Sequence, residues 1–129
     1  LTQDNLIQLA KDYNIPVTCF SPLGALSYVS LDMASANDSV LEQSKIKKIS
    51  EDIGKTPAQV VLRWGLERGT AIIPKTVKLD RLKENIGIFD FELTDEQVEL
   101  ISSLNCNRRF NDPAVFCKNS FGKFHPIYD

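Results

Sequence analysis

Histidine, cysteine and long apolar runs are all scarce in this chain, and each scarcity removes a class of protein. The 129 residues include one histidine, His125, and three cysteines, Cys19, Cys106 and Cys117, with no CxxC spacing. An odd number of scattered thiols does not build a disulfide framework, and a single histidine gives no zinc-type ligand set. Reduced thiols in a cytoplasmic protein are the expectation. No apolar run approaches the roughly 18 residues of a membrane span. The N-terminal stretch has neither the basic nor the apolar region of a signal peptide. Excess positive charge is missing too: 15 Lys and Arg against 17 Asp and Glu give a net charge of −2. That balance argues against a nucleic-acid surface as the main role. The first residue is Leu1 and not methionine, so we expect a chain that starts within a longer protein or was cut.

What is present is an ordinary globular composition, 43% hydrophobic and 25% charged, long enough for one domain or part of a larger one. Residues 2–13 place Leu6, Leu9 and Ala10 on one helical face, with Thr2 as N-cap and Asn14 before Pro16 as the stop. "IPVTCF", Ile15 to Phe20, is short and β-branched and reads as a buried strand that ends at the turn "SPLG". Residues 25–39 show no period, and a loop of that length is usually functional, a clasp over a ligand. From Val40 to Ile53 the pattern is helical, with Leu41, Ile46, Ile49 and Ile53 in phase and Gly54 as the stop. Thr56-Pro57 starts a second helix with an apolar face of Val60, Val61, Trp64 and Leu66. "TAIIPK" is a second buried strand, "KLDRLKENI" a short helix, "FDFEL" an extended piece. Thr94 and Gln97 form a capping box for "DEQVELISSLN". Residues 105–129 have no period and must lie on something. Helices alternating with short buried strands are the pattern of βα units in a parallel sheet or barrel. Two strands close no barrel, so the α/β fold is expected to be incomplete in this chain.

The polar residues that follow the second strand carry the chemistry. Lys75 and Thr76 lie at its carboxyl end, and Arg81, Glu84 and Asn85 have helical spacing that puts them on one face above that loop. The loop after a parallel strand is the ligand side of a βα unit, and the next helix points its amides there. An arginine fork, a lysine point charge and a hydroxyl suit a phosphate. A carboxylate and an amide suit the donor and acceptor edge of a purine. The same residues also make sense as a capped strand end and a solvated Arg81–Glu84 surface pair.

The stretches "CFSPLGA", "SKIKKISEDIGKTPAQVVLRWGLERGTAIIPKTVKLDRLKENIGIFDFELTDEQ" and "NRRFNDP" resemble the C-terminal part of the aldo-keto reductases, in the branch of the xylose and aldose reductases. The resemblance covers essentially the whole chain. It implies a (β/α)8 barrel that reduces aldehydes and ketones with NADPH (NADP+ when oxidised). On it, residues 1–129 are the C-terminal part of a single barrel domain, with the last two strands at Val17–Phe20 and Thr70–Pro74. Residues 25–39 are the coenzyme clasp, and residues 105–129 are the substrate loop and tail. Phe20 stands where the family usually has tyrosine, and its ring face suffices for stacking on nicotinamide. Ser21 and Leu23 fall on the pyrophosphate site, with Ser27 a further candidate. Lys75, Thr76 and Arg81 fall on the 2′-phosphate site, where the family more often has serine in the place of Thr76. Glu84 and Asn85 fall on the adenine site. In the tail, Asn111 falls near the substrate with Phe110 and Phe116 as walls, although Asn111-Asp112-Pro113 also spells a plain turn.

The family's catalytic tyrosine, lysine, aspartate and histidine belong to earlier strands, and Tyr13, Tyr28, Tyr128 and His125 do not sit in that motif. The resemblance therefore implies the coenzyme-binding portion of a reductase. Its partners would be the missing N-terminal part of the barrel and a small-molecule carbonyl substrate, such as an aldose or xylose-type sugar or a small aldehyde. This chain alone is expected to be inactive. Three rivals are kept: a non-catalytic barrel relative that binds nicotinamide as a sensor or subunit, a sugar-phosphate barrel enzyme, and a helix-turn-helix over residues 45–68. The last requires an exposed second helix, and residues 58–66 are mostly apolar. Neither nucleic acid nor membrane is expected as a partner.

Overall fold

A computed structural model of the chain describes residues 2–24, 26–29, 32–110, 112–114, 118 and 122, with the side chains of residues 26 and 27 left out. Its elements run α1 (Asp4–Asp12), β1 (Thr18–Phe20), α2 (Leu26–Val29), α3 (Ser44–Ile53), α4 (Pro57–Glu67), β2 (Ala71–Ile73), α5 (Leu79–Ile86) and α6 (Asp95–Ser102). Two 3-10 turns, Ala36–Asp38 and Val40–Glu42, bridge α2 and α3. Among the described residues the two strands form one parallel pair, with Thr18 opposite Ala71, Cys19 opposite Ile72 and Phe20 opposite Ile73.

Local sequence accounts for most boundaries. Gly54 ends α3 in the left-handed conformation at φ 66°, which glycine adopts without a Cβ penalty. Thr56 caps α4 and Thr94 caps α6, each through a reciprocal box with the glutamine three residues on. The N-terminal helix differs from expectation. It begins at Asp4, not Thr2, because Gln3 turns through φ 54°. The Thr2 hydroxyl is also engaged elsewhere, donating to Asp4 and accepting from Asn105. Its buried residues are Ile7 and Ala10, while Leu6 and Leu9 face outward. The helix expected from Val40 starts at Ser44, after the 3-10 turn.

Helix α4 is the centre of the packing. Val60, Val61 and Leu62 are buried, and Val60 and Val61 join Ile46 and Ile49 of α3, Ile101 of α6 and Leu93 in one apolar cluster. Leu62 falls outside the face expected from the sequence, because neighbours enclose α4 on more than one side. A half-buried polar link fixes the following chain to it. Arg63 donates to Glu67 at 2.6 Å, Glu67 accepts from the Leu93 amide at 2.8 Å, and Arg63 also donates to the Ile88 carbonyl. Gly65 lets the strand come close: a Cβ there would sit 3.0 Å from Ile72 Cγ2. Helix α4 thus covers one face of the sheet, the side of Cys19 and Ile72. The other face stays open, with Phe20 62% and Ile73 57% exposed side by side.

Flanking helices carry the same signature. Leu6 and Leu9 on α1, and Leu79, Leu82 and Ile86 on α5, are exposed apolar residues at helical spacing. A parallel sheet is ordinarily covered on both faces and flanked by further strands. These open surfaces are therefore expected to drive self-association of the isolated chain. In gel filtration at micromolar concentration it should elute as oligomers and bind an apolar dye. A sharp, cooperative melt of a dye-silent monomer would contradict this.

Candidate functional site

Parallel pairing puts the carboxyl ends of β1 and β2 at one edge of the sheet, so Ser21 and Lys75 open two loops side by side. The first loop turns at once. Ser21 adopts φ 48° and its carbonyl accepts from the Gly24 amide at 2.9 Å. A non-glycine residue in this conformation costs on the order of 1–2 kcal/mol, so the tight turn is maintained against local preference. Leu23 packs its side chain against the helical core. Phe20 stands on the open face of the sheet directly before this turn.

The second loop collects positive charge. Lys75 and Lys78 are exposed on it, Arg81 and Lys83 are exposed on α5, and among the described residues none of the four forms an ion pair. The Thr76 hydroxyl accepts from the Lys78 amide at 3.1 Å, which fixes the turn and leaves its own proton to donate. Lys75, Thr76 and Lys78 precede α5 and Arg81 lies in its first turn beside Asp80, whereas Lys83 is in its last turn. The unsatisfied amides at the start of α5 add partial positive charge, so the composition of this loop suits an anion.

Glu84 is not the partner of Arg81. Its carboxylate accepts a hydrogen bond from the hydroxyl of Thr56, the residue that caps α4. Gln59, the other half of that cap, donates its side-chain amide to the Glu84 and Gly87 carbonyls, the latter at 2.8 Å. The position of α5 is thus set from the start of α4. Asn85 is partly buried beside Glu84. This link spans 28 residues, and the capping signal at Thr56 gives no sign of it in the sequence.

The loop expected to be a clasp contains α2, a turn closed by the Met33 amide on the Tyr28 carbonyl, and a 3-10 turn with a capping box between Ser35 and Asp38. The C-terminal segment lies on it. Phe110 stacks on Tyr28 with ring centroids 5.8 Å apart, and Arg108 pairs with Asp38. The Asp38 carboxyl is held below the usual carboxylate range, chiefly by hydrogen bonds from Ser35 and further by Arg108. Asp112 accepts from the Ala114 amide at 2.9 Å, as a plain turn at Asp112-Pro113 would. Asn111, Phe116 and the side chain of Ser27 lie outside the described residues. Of the proposed site residues, Phe20, Ser21, Lys75, Thr76 and Arg81 gather along one edge, whereas Phe110 faces the clasp.

The Thr56–Glu84 link has a measurable consequence. In the full-length protein, Thr56→Val removes a helix cap and strands a partly buried carboxylate. It should cost about 1–3 kcal/mol of unfolding free energy in denaturant titration. Thr56→Ser should stay within about 0.5 kcal/mol of the parent. Equal values for the two variants would show that the link carries no stability.

Residues 1–106 match the family model described as the aldo/keto reductase family. The chain is 39% identical over 130 aligned positions to a probable NAD(P)H-dependent D-xylose reductase of Aspergillus niger, covering 99% of this chain and 39% of that protein. An NADH-dependent D-xylose reductase of Candida parapsilosis is 39% identical over 118 positions, 90% of this chain and 36% of that one. The crystal structure of an aldo/keto reductase from Brucella melitensis superposes with a TM-score of 0.66 at 35% identity, over 80% of this chain and 34% of that chain. An aldo-keto reductase from a Medee basin deep-sea metagenome gives 0.70 at 28% identity, over 81% and 35%. The chain thus spans well under half the length of each of these proteins.

Proposed function

This chain belongs to the aldo/keto reductase family, and from that premise we propose that it forms the NADPH-binding portion of an enzyme that reduces aldehydes or ketones to alcohols. The observation that carries this reading is the row of cations that follows β2 in the loop and on α5, none of them in an ion pair among the described residues, set beside the carboxyl end of β1. Lys75, Arg81 and the Thr76 hydroxyl would hold the 2′-phosphate, Glu84 and Asn85 the adenine edge, and Ser21 with the backbone at Leu23 and the hydroxyl of Ser27 the pyrophosphate. Phe20, exposed on the open face, would stack under the nicotinamide.

The coenzyme, when bound, supplies hydride to the carbonyl carbon of the substrate. The residues of this chain bind and orient it, and Phe110, Asn111 and Phe116 would line the substrate side. None of the chain's described tyrosines is set to protonate a carbonyl oxygen: Tyr13 is exposed after α1, at the far edge of the sheet, and Tyr28 is stacked on Phe110. A positioned acid contributes about 100- to 10,000-fold, so the chain alone should be inactive and the acid should come from the rest of the barrel. Polyhydroxylated aldehydes of the xylose type are the proposed substrates, since two of the relatives named above are D-xylose reductases by name.

One of those relatives is NADH-dependent by name, so the phosphate grip is the part to test. In the full-length protein Arg81→Ala should weaken NADPH by about 1.5–3 kcal/mol, or roughly 10- to 150-fold. NADH binding should change less than about threefold. Fluorescence-quench titrations of both coenzymes read this directly. Equal weakening would remove Arg81 from the phosphate site.

A further inference from the structure

The contacts between the clasp and the C-terminal segment form a separate device, and they were not legible in the sequence. Arg108 reaches three points at once. Its Nη1 pairs with the Asp38 carboxylate, its Nη2 lies 3.5 Å from the Met33 carbonyl, and its guanidinium sits 5.0 Å above the Phe110 ring. Phe110 in turn lies nearly parallel to Tyr28, at an interplanar angle of 18°. Tyr28, Met33 and Asp38 are spread along the clasp, so its middle and end are both tied down by residues 108–110.

Asp38 is prepared for this role. One carboxylate oxygen accepts from the Ser35 amide at 2.7 Å and the Ser35 hydroxyl at 2.8 Å, which aims the other at Arg108. The neighbouring Ser39 is buried, 1% exposed. None of the tying residues belongs to the apolar core cluster. An exposed ion pair and a single cation–π contact are each weak and readily broken. Such a tie suits a segment that opens and closes and adds little to the fold.

We propose that Arg108 is a positioning residue that latches the clasp to the C-terminal segment, so that release of the coenzyme requires the two segments to separate. This rests on the coenzyme reading above. The latch couples the two sides of the site: ordering residues 108–110 around a substrate holds the clasp shut, and opening the clasp frees that segment.

Two measurements on the full-length protein test it. In the coenzyme-free protein, hydrogen exchange at the Met33 and Asp38 amides should quicken about three- to tenfold in Arg108→Ala while α3 and α4 stay unchanged. With NADPH bound, stopped-flow displacement should show release faster by about the same factor. Arg108→Lys, which keeps a positive charge toward Asp38 and leaves the Ser35–Asp38 cap intact, should recover at least half of each effect. Parent-like exchange and release in Arg108→Ala would overturn the latch, and so would release in Arg108→Lys as fast as in Arg108→Ala. A parent protein that fails to bind NADPH would overturn the coenzyme reading and the latch with it, whereas tight binding with unchanged release overturns the latch alone.

Discussion

Parallel pairing of two three-residue strands is the constraint on which the rest of this structure depends. An antiparallel pair would send the loops after β1 and β2 to opposite edges and separate Ser21 from Lys75. Parallel strands instead need a long crossover, and the chain supplies one that runs through the clasp, α3 and α4. The register of Phe20 with Ile73 then brings both carboxyl ends level. A stacking ring, a tight turn and a row of cations come to lie along one edge because of it. Strength of the pairing comes from packing, since Ile72 is pressed on α4 at Gly65.

One-sided cover of that sheet explains both what the chain can do and what it lacks. The face toward α4 is closed, and the face that bears Phe20 and Ile73 is open. In the proposed barrel the open face looks inward, toward the nicotinamide and the acid supplied by other strands. On the proposed reading the ligand edge lies in this chain while the reaction chamber needs the rest of the barrel. The same division would separate residues that bind coenzyme from those that do proton chemistry.

Elements set by local rules were legible in the sequence. Gly54, the cap at Thr56 and the box from Thr94 to Gln97 each act within four residues, and the structure has all three. Both strands were legible from β-branched runs, though each is shorter than the run that announced it. Long-range choices were not. Leu6 and Leu9 have the spacing of a buried face, yet which face of α1 is covered depends on what lies beside it. Thr56 reads as a cap, and only the fold brings Glu84 to its hydroxyl. Arg108 and Asp38 are 70 residues apart, with nothing in either neighbourhood to pair them. Lys75, Thr76 and Arg81 stood out because two cations and a threonine fall within eight residues of a strand end.

The central claim is that the two strand ends form one continuous shelf for a phosphorylated dinucleotide. Hydrogen exchange on the full-length protein, with coenzyme and with its two halves, tests it most directly. NADPH should slow exchange at both the 21–24 and the 75–81 amides. The 2′-phosphorylated adenosine half alone should protect only 75–81, and reduced nicotinamide mononucleotide only 21–24. Protection of neither loop by NADPH, or protection of both by a single half, would contradict the account.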